Sequence, residues 1–127
     1  MLIILKHWFW VVLWAGLIFI LSSIPRLESG LEQDFLLRKL AHVFEYFVLT
    51  WLLYFAFSNH YLQTNKKHPP HRQALLFVLL LAVFYALSDE LHQTFVLGRS
   101  GNLRDVAIDS VGILAATLLL YWRRVFK

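Results

Sequence analysis

The stretch "ALLFVLLLAVFYALSDELHQ", Ala74–Gln93, decides how the chain is read. Its clean apolar part, Ala74–Leu87, covers about 21 Å as a helix, against a hydrocarbon core of about 30 Å. A helix that spans a bilayer here must continue through Ser88, Asp89, Glu90 and Gln93. Ionisable groups at that depth face a bundle interior or a water-filled cavity, because lipid cannot solvate them. The residues that complete the span are therefore also the residues on which function is to be sought.

Three more apolar blocks flank this one, at roughly 8–24, 35–57 and 106–122. The 127 residues are 59% hydrophobic and 16% charged, well below the charge of about 25% usual in a soluble domain. The pattern predicts a single all-α domain over 1–127, an integral membrane four-helix bundle with spans at roughly 7–24, 36–57, 73–93 and 105–122. The first block ends in "SSIPRLESG" without an Ala-x-Ala cleavage signal, so it reads as a retained span and not a signal peptide. The chain has no cysteine, which excludes disulfides and thiolate chemistry. A net charge of +4 does not point to nucleic acid, since the bases cluster at helix ends beside a bilayer.

Charge sets the expected orientation. Lys6, then Lys66, Lys67 and Arg72, then Arg123, Arg124 and Lys127 occupy three segments that fall on one side and hold no acid. The positive-inside rule makes that side cytoplasmic, with both termini inside and the polar cavity at the outer-leaflet end of the cytoplasmic membrane. Every acid lies in the other half, Glu28, Glu32, Asp34, Glu45, Asp89, Glu90, Asp105 and Asp109, which also holds the bases Arg26, Arg38, Lys39, Arg99 and Arg104. The segment "SNHYLQTNKKHPPHRQ", Ser58–Gln73, reads as a solvated basic loop that includes His60, His68 and His71.

Helical spacing gathers the polar groups into stripes. Lys39, His42, Glu45 and Tyr46 share one face of the second span. Asp89 and Gln93 share a face of the third, flanked by Glu90. Asp105 and Asp109 share a face of the fourth, continued by Gly112. All three stripes lie at the same end, so they must converge. The segment "TFVLGRSGNLR" closes over them, with Gly98 and Gly101 giving Arg99 a tight path. Gly112 and Ala116 allow the fourth span to pack closely on a neighbour. The structural alternative is that acids and bases, Glu45 with Lys39 for instance, simply staple the helices together.

The motifs "KLAHVFEY" (Lys39–Tyr46), "SDELHQTF" (Ser88–Phe95) and "GRSGNLRDVAIDSVG" (Gly98–Gly112), with "SSIP" after the first span, resemble the VanZ-like family. The resemblance covers nearly the whole chain. It implies hallmark roles for Lys39, His42, Tyr46, Asp89, Glu90, Gln93, Phe95, Gly98, Arg99, Asp105 and Gly112. The chain departs from the family pattern at Asp109, where the family usually has Asn, and at Ala116, where it often has Gly. The extra carboxylate alters the proton balance or metal preference expected of such a site. The family is named for reduced susceptibility to teicoplanin, a lipid-bearing glycopeptide acting at the outer face of the cytoplasmic membrane. The resemblance thus implies a cell-envelope role at that surface.

Three classes of function compete. The first is an enzyme acting on a lipid-linked or anionic envelope substrate by phosphoryl or acyl transfer or hydrolysis. Its catalytic candidates are His42, Glu45, Asp89, Glu90 and Asp109, with His42 as base or nucleophile oriented by Glu45 or Asp89. Its substrate-binding candidates are Lys39, Tyr46, Gln93, Arg99, Arg104 and Asp105, the arginines suiting a phosphate. A divalent metal is an option, with His42, Asp89 and Glu90 as first candidates and Glu45, His92 and Asp109 as further donors. The second class is a non-catalytic binder of lipid headgroups or of a lipoglycopeptide. The third, a transport element, ranks last because no ionisable residue continues the path through the inner half. The partners expected are membrane lipids or a lipid-linked envelope precursor, and no nucleic acid. Tyr46 is expected to hydrogen-bond within the cluster, and His92 to reach the membrane interface.

Overall fold

In a computed structural model, residues 2–25 and 34–125 are described. Glu28, Glu32 and Lys127, which contribute to the charge asymmetry, lie outside them, as does Arg26. Four helices follow in order: α1 Leu2–Ser23, α2 Asp34–Asn65, α3 His71–Gln93 and α4 Leu103–Val125. No strand occurs among the described residues. Neighbouring helices run antiparallel. Ser22 at the end of α1 meets Asp89 near the end of α3, and His42 near the start of α2 meets Asp109 near the start of α4. At the opposite end, Trp8 of α1 meets His60 of α2, and His71 of α3 stacks on Tyr121 of α4. α2 packs against all three other helices, and α3 also touches α1 and α4.

The distribution of side chains is that of a membrane protein. Ile18, Leu49, Val78 and Ile113 fill the interior, yet large apolar residues also cover the outside of every helix. Val12, Phe44, Phe84 and Leu118 are each more than half exposed. Water would not tolerate an apolar belt of this extent, whereas lipid solvates it. α1, α2 and α3 are each long and apolar enough to cross a membrane. α4 equals α3 in length at 23 residues. It buries Val106, Asp109, Ile113, Ala116 and Leu120 at three- and four-residue spacing, so it lies along the bundle over most of its length.

Small residues bring the backbones together. A Cβ added at Gly112 would run into the Val43 carbonyl of α2, and Ala82, Ala86 and Ala116 are fully buried. The 94–102 segment uses two glycines. Gly98 takes a φ of 78°, and Gly101 lies directly on the Glu90 carbonyl, leaving no room for a side chain. Asn102 then starts α4. Its Oδ1 accepts the Asp105 amide at 3.1 Å, and Asp105 sits in the first turn, where the helix dipole favours a carboxylate.

The basic loop is much shorter than the sequence reading has it. α2 runs to Asn65, so only residues 66–70 connect it to α3. No Gly or Pro interrupts 58–65. Asn59, Thr64 and Asn65 each satisfy a carbonyl four residues back, at 2.7–3.2 Å. Lys66, at a φ of 54°, ends the helix, and α3 starts directly after Pro70. His60 and His71 are consequently helical residues. His71 is half-buried, with Nδ1 3.0 Å from the Tyr54 hydroxyl.

Candidate functional site

The three polar stripes do converge, at the end of the bundle where α1 and α3 finish and α2 and α4 begin. A cleft of about 290 Å³ opens there, at the small end of ligand pockets. Arg38, Lys39, Arg99 and Arg104 give it a cationic mouth, while His42, Glu90 and Gln93 line it more deeply. Burial ranks the depth: Arg104 is exposed, His42 is 17% exposed, and Glu90 only 4%. Asp109, at 1%, lies behind His42, with its Oδ1 3.3 Å from His42 Nδ1.

Two linked hydrogen-bond systems hold the carboxylates of α3. Ser22 of α1 donates to Asp89 Oδ2 at 2.8 Å, and Gln93 donates to the same oxygen at 3.0 Å. Gln93 also reaches Glu90 Oε1 at 3.3 Å, and the Asn102 amide donates to Glu90 Oε2 at 3.0 Å. The start of α4 is thereby tied to the end of α3 through Glu90. Asp89 and Glu90 are successive residues, about 100° apart around the helix. Asp89 therefore turns to α1, and Glu90 turns to the cleft.

Several assignments change with this geometry. Lys39 pairs with Asp105 at 2.5 Å, not with Glu45. The carboxylate beside the His42 ring nitrogen is Asp109, not Glu45 or Asp89. Glu45 is half-buried one turn below, within electrostatic reach of His42, Asp89 and Asp109, but it does not line the cleft. Tyr46 is fully buried and its ring stacks on His42, yet its hydroxyl has no hydrogen-bond partner. Asp89 Oδ1 and Asp109 Oδ2 are likewise buried without a partner. Arg99 directs two donors to α1, with Nε 3.1 Å from the Ile24 carbonyl and Nη2 2.9 Å from that of Leu21, and a third to Gln93 Oε1 at 3.5 Å. It thus satisfies carbonyls that the end of α1 leaves open, besides lining the cleft. Among metal candidates, donor atoms of His42, Glu90 and Asp109 lie within 4.8 Å of one another, so Asp109 takes the place expected of Asp89. His92 contacts the end of α1, its Nε2 3.0 Å from the Ser23 hydroxyl and its ring against Phe19.

Ser22, Arg38 and Asn102 belong to the site and are absent from the sequence-derived set. The "SSIP" motif held the signal for Ser22, and Arg38 adjoins the stripe begun by Lys39. Asn102 was visible as a helix cap three residues before Asp105.

A family model described as VanZ/LLP1 matches residues 5–126. The chain belongs to the VanZ/LLP1 family. No curated protein matches it, nor does any solved structure. The motifs by which the sequence resembles the VanZ-like pattern now have places in this VanZ/LLP1 protein. "KLAHVFEY" lies in the second to fourth turns of α2, "SDELHQTF" ends α3, and "GRSGNLRDVAIDSVG" supplies the covering segment and the start of α4.

Proposed function

We propose that this VanZ/LLP1 protein is an enzyme of the cytoplasmic membrane, acting on an anionic, lipid-linked cell-envelope substrate by phosphoryl or acyl transfer or hydrolysis. Both termini lie in the cytoplasm and the cleft opens at the outer leaflet, an orientation supported by the bias of Lys and Arg. The supporting observation is the layering of the cleft, with four bases at its mouth and His42, Glu90 and Asp109 beneath them.

Each layer has a chemical task. Arg38 and Arg104 at the rim suit a phosphate or other anionic headgroup, which enters from the side while its lipid tail stays in the bilayer. Lys39 and Arg99 add positive charge but are held in fixed geometry by Asp105 and by the end of α1. The headgroup's reacting bond then lies over half-buried and buried groups that can accept and return a proton. The link to lipoglycopeptide susceptibility follows if that substrate, or its product, governs access of such a drug to the outer surface.

Purified protein in nanodiscs, loaded with envelope lipid extract, tests the reading by mass spectrometry of the lipids over time. Wild type should consume one anionic lipid species. His42→Ala and Asp109→Asn should stop the turnover while the lipid remains bound. Binding without turnover by wild type would leave a non-catalytic headgroup binder.

A further inference from the structure

We infer that His42, Glu90 and Asp109 form a binding site for a divalent transition-metal ion, Zn²⁺ or Mn²⁺. This goes beyond the proposed lipid chemistry, since the ion would be held whether or not a bond is made in the cleft.

The first observation is the donor set. One imidazole nitrogen and two carboxylate oxygens come from α2, α3 and α4, with donor atoms within 4.8 Å of one another. Two ligands at about 2.1 Å on opposite sides of an octahedral ion stand about 4.2 Å apart, so only a small contraction is needed. Imidazole with carboxylate suits Zn²⁺ or Mn²⁺ better than Mg²⁺, which prefers oxygen alone. Three protein ligands leave coordination positions open towards the cleft, the arrangement of catalytic and not of structural metal sites.

The second observation is the spacing of His42 and Asp109. Their 3.3 Å separation is long for a charge-assisted hydrogen bond, which falls at about 2.7–2.9 Å. It is close to the edge of a metal tetrahedron, about 3.4 Å for ligands at about 2.1 Å. The separation fits two ligands of one ion as well as it fits a long ion pair.

The third observation is uncompensated polarity. Asp89, Glu90 and Asp109 are all at least nine-tenths buried. Lys39 is engaged by Asp105, and the close hydrogen bonds of Arg99 go to α1 carbonyls. Asp109 Oδ2, Asp89 Oδ1 and the Tyr46 hydroxyl are buried in this cluster without a partner. Tyr46 and Asp89 lie outside the ligand trio, yet Tyr46 is stacked on His42, and both are within electrostatic reach of Asp109. Buried carboxylates of this number are costly to keep charged without pairing, and a metal ion held by His42, Glu90 and Asp109 would supply that pairing. Outer-shell support is already built: Gln93 and the Asn102 amide fix the Glu90 carboxylate.

The test uses the full-length protein in nanodiscs, stripped with a chelator and then dialysed against Zn²⁺ or Mn²⁺. Elemental mass spectrometry reads the stoichiometry, and Mn²⁺ electron paramagnetic resonance reads the coordination. No lipid substrate is present, so the outcome is independent of turnover. Wild type should retain a single ion per chain, in the presence of excess Mg²⁺. Asp109→Asn, close in size to the native residue, should lose it, as should His42→Ala and Glu90→Gln. The affinity lost with a ligand should exceed the roughly tenfold to hundredfold that follows loss of an outer-shell partner. Far-ultraviolet dichroism checks that each variant is folded. Wild type retaining no more metal than empty nanodiscs overturns the site, as does retention undiminished in folded Asp109→Asn.

Discussion

Gly112→Ala probes how the fold sets the site. A Cβ at this position falls on the Val43 carbonyl, with Val43 C at 2.9 Å and Phe47 N at 3.0 Å. Ordinary contact needs about 3.5–4.0 Å, and the carbonyl oxygen is closer still, so α2 and α4 must part by roughly 1.5 Å at this level. The obstacle is backbone, not the end of a flexible side chain, so the expected cost sits in the upper part of the roughly 1–3 kcal/mol typical of overpacking. Asp109 lies one turn before Gly112, and His42 adjoins Val43. Their 3.3 Å contact therefore opens past about 4 Å. Unfolding in a titration with sodium dodecyl sulfate, followed by helical dichroism, should show a loss of about 2–3 kcal/mol. Val111→Ala on the exposed face is the control and should leave the midpoint unchanged. Equal midpoints for Gly112→Ala and wild type would refute the close approach of α2 and α4.

Other perturbations reach the remaining parts of the account. Arg99→Ala removes two charge-assisted bonds to the Leu21 and Ile24 carbonyls, with an expected cost of about 2–3 kcal/mol. Hydrogen–deuterium exchange should quicken in the last turn of α1 and stay unchanged in the lower half of α4. Ser22→Ala leaves Asp89 Oδ2 with Gln93 as its donor, and should destabilise by about 1–2 kcal/mol in the same titration. Ser100→Cys, placed on the exposed covering segment of a chain without cysteine, should react with an impermeant thiol reagent added to intact cells. Reaction only after the membrane is disrupted would reverse the proposed orientation.

Much of the architecture was legible because two signals agreed. Apolar blocks of spanning length gave the helices, and three-and-four spacing placed Lys39, His42, Tyr46, Asp89, Gln93, Asp105 and Asp109 on stripes that the structure joins at one end. Partner choice was not legible. A stripe fixes the face a residue occupies, but the rotation of each helix about its axis decides which carboxylate meets His42. Asp89 and Glu90 illustrate this, since one residue of offset sends the first to Ser22 and the second to the cleft. The bonds of Arg99 to the end of α1 were not legible, because they depend on where α1 ends, which local sequence does not fix. The length of α2 was missed for a different reason. Polar residues at 58–65 suggested a loop, but without Gly or Pro they continue the helix and bond to their own backbone.

The central claim is that the cationic mouth selects an anionic headgroup for the groups beneath it. Native mass spectrometry of protein released from vesicles containing a polyprenyl phosphate and phosphatidylcholine measures this directly. Wild type should retain the polyprenyl phosphate in preference, and an Arg38→Ala/Arg104→Ala variant should lose that preference while keeping its helical content. Equal retention of the anionic and zwitterionic lipids by wild type, or an unchanged preference in the double variant, would contradict the account.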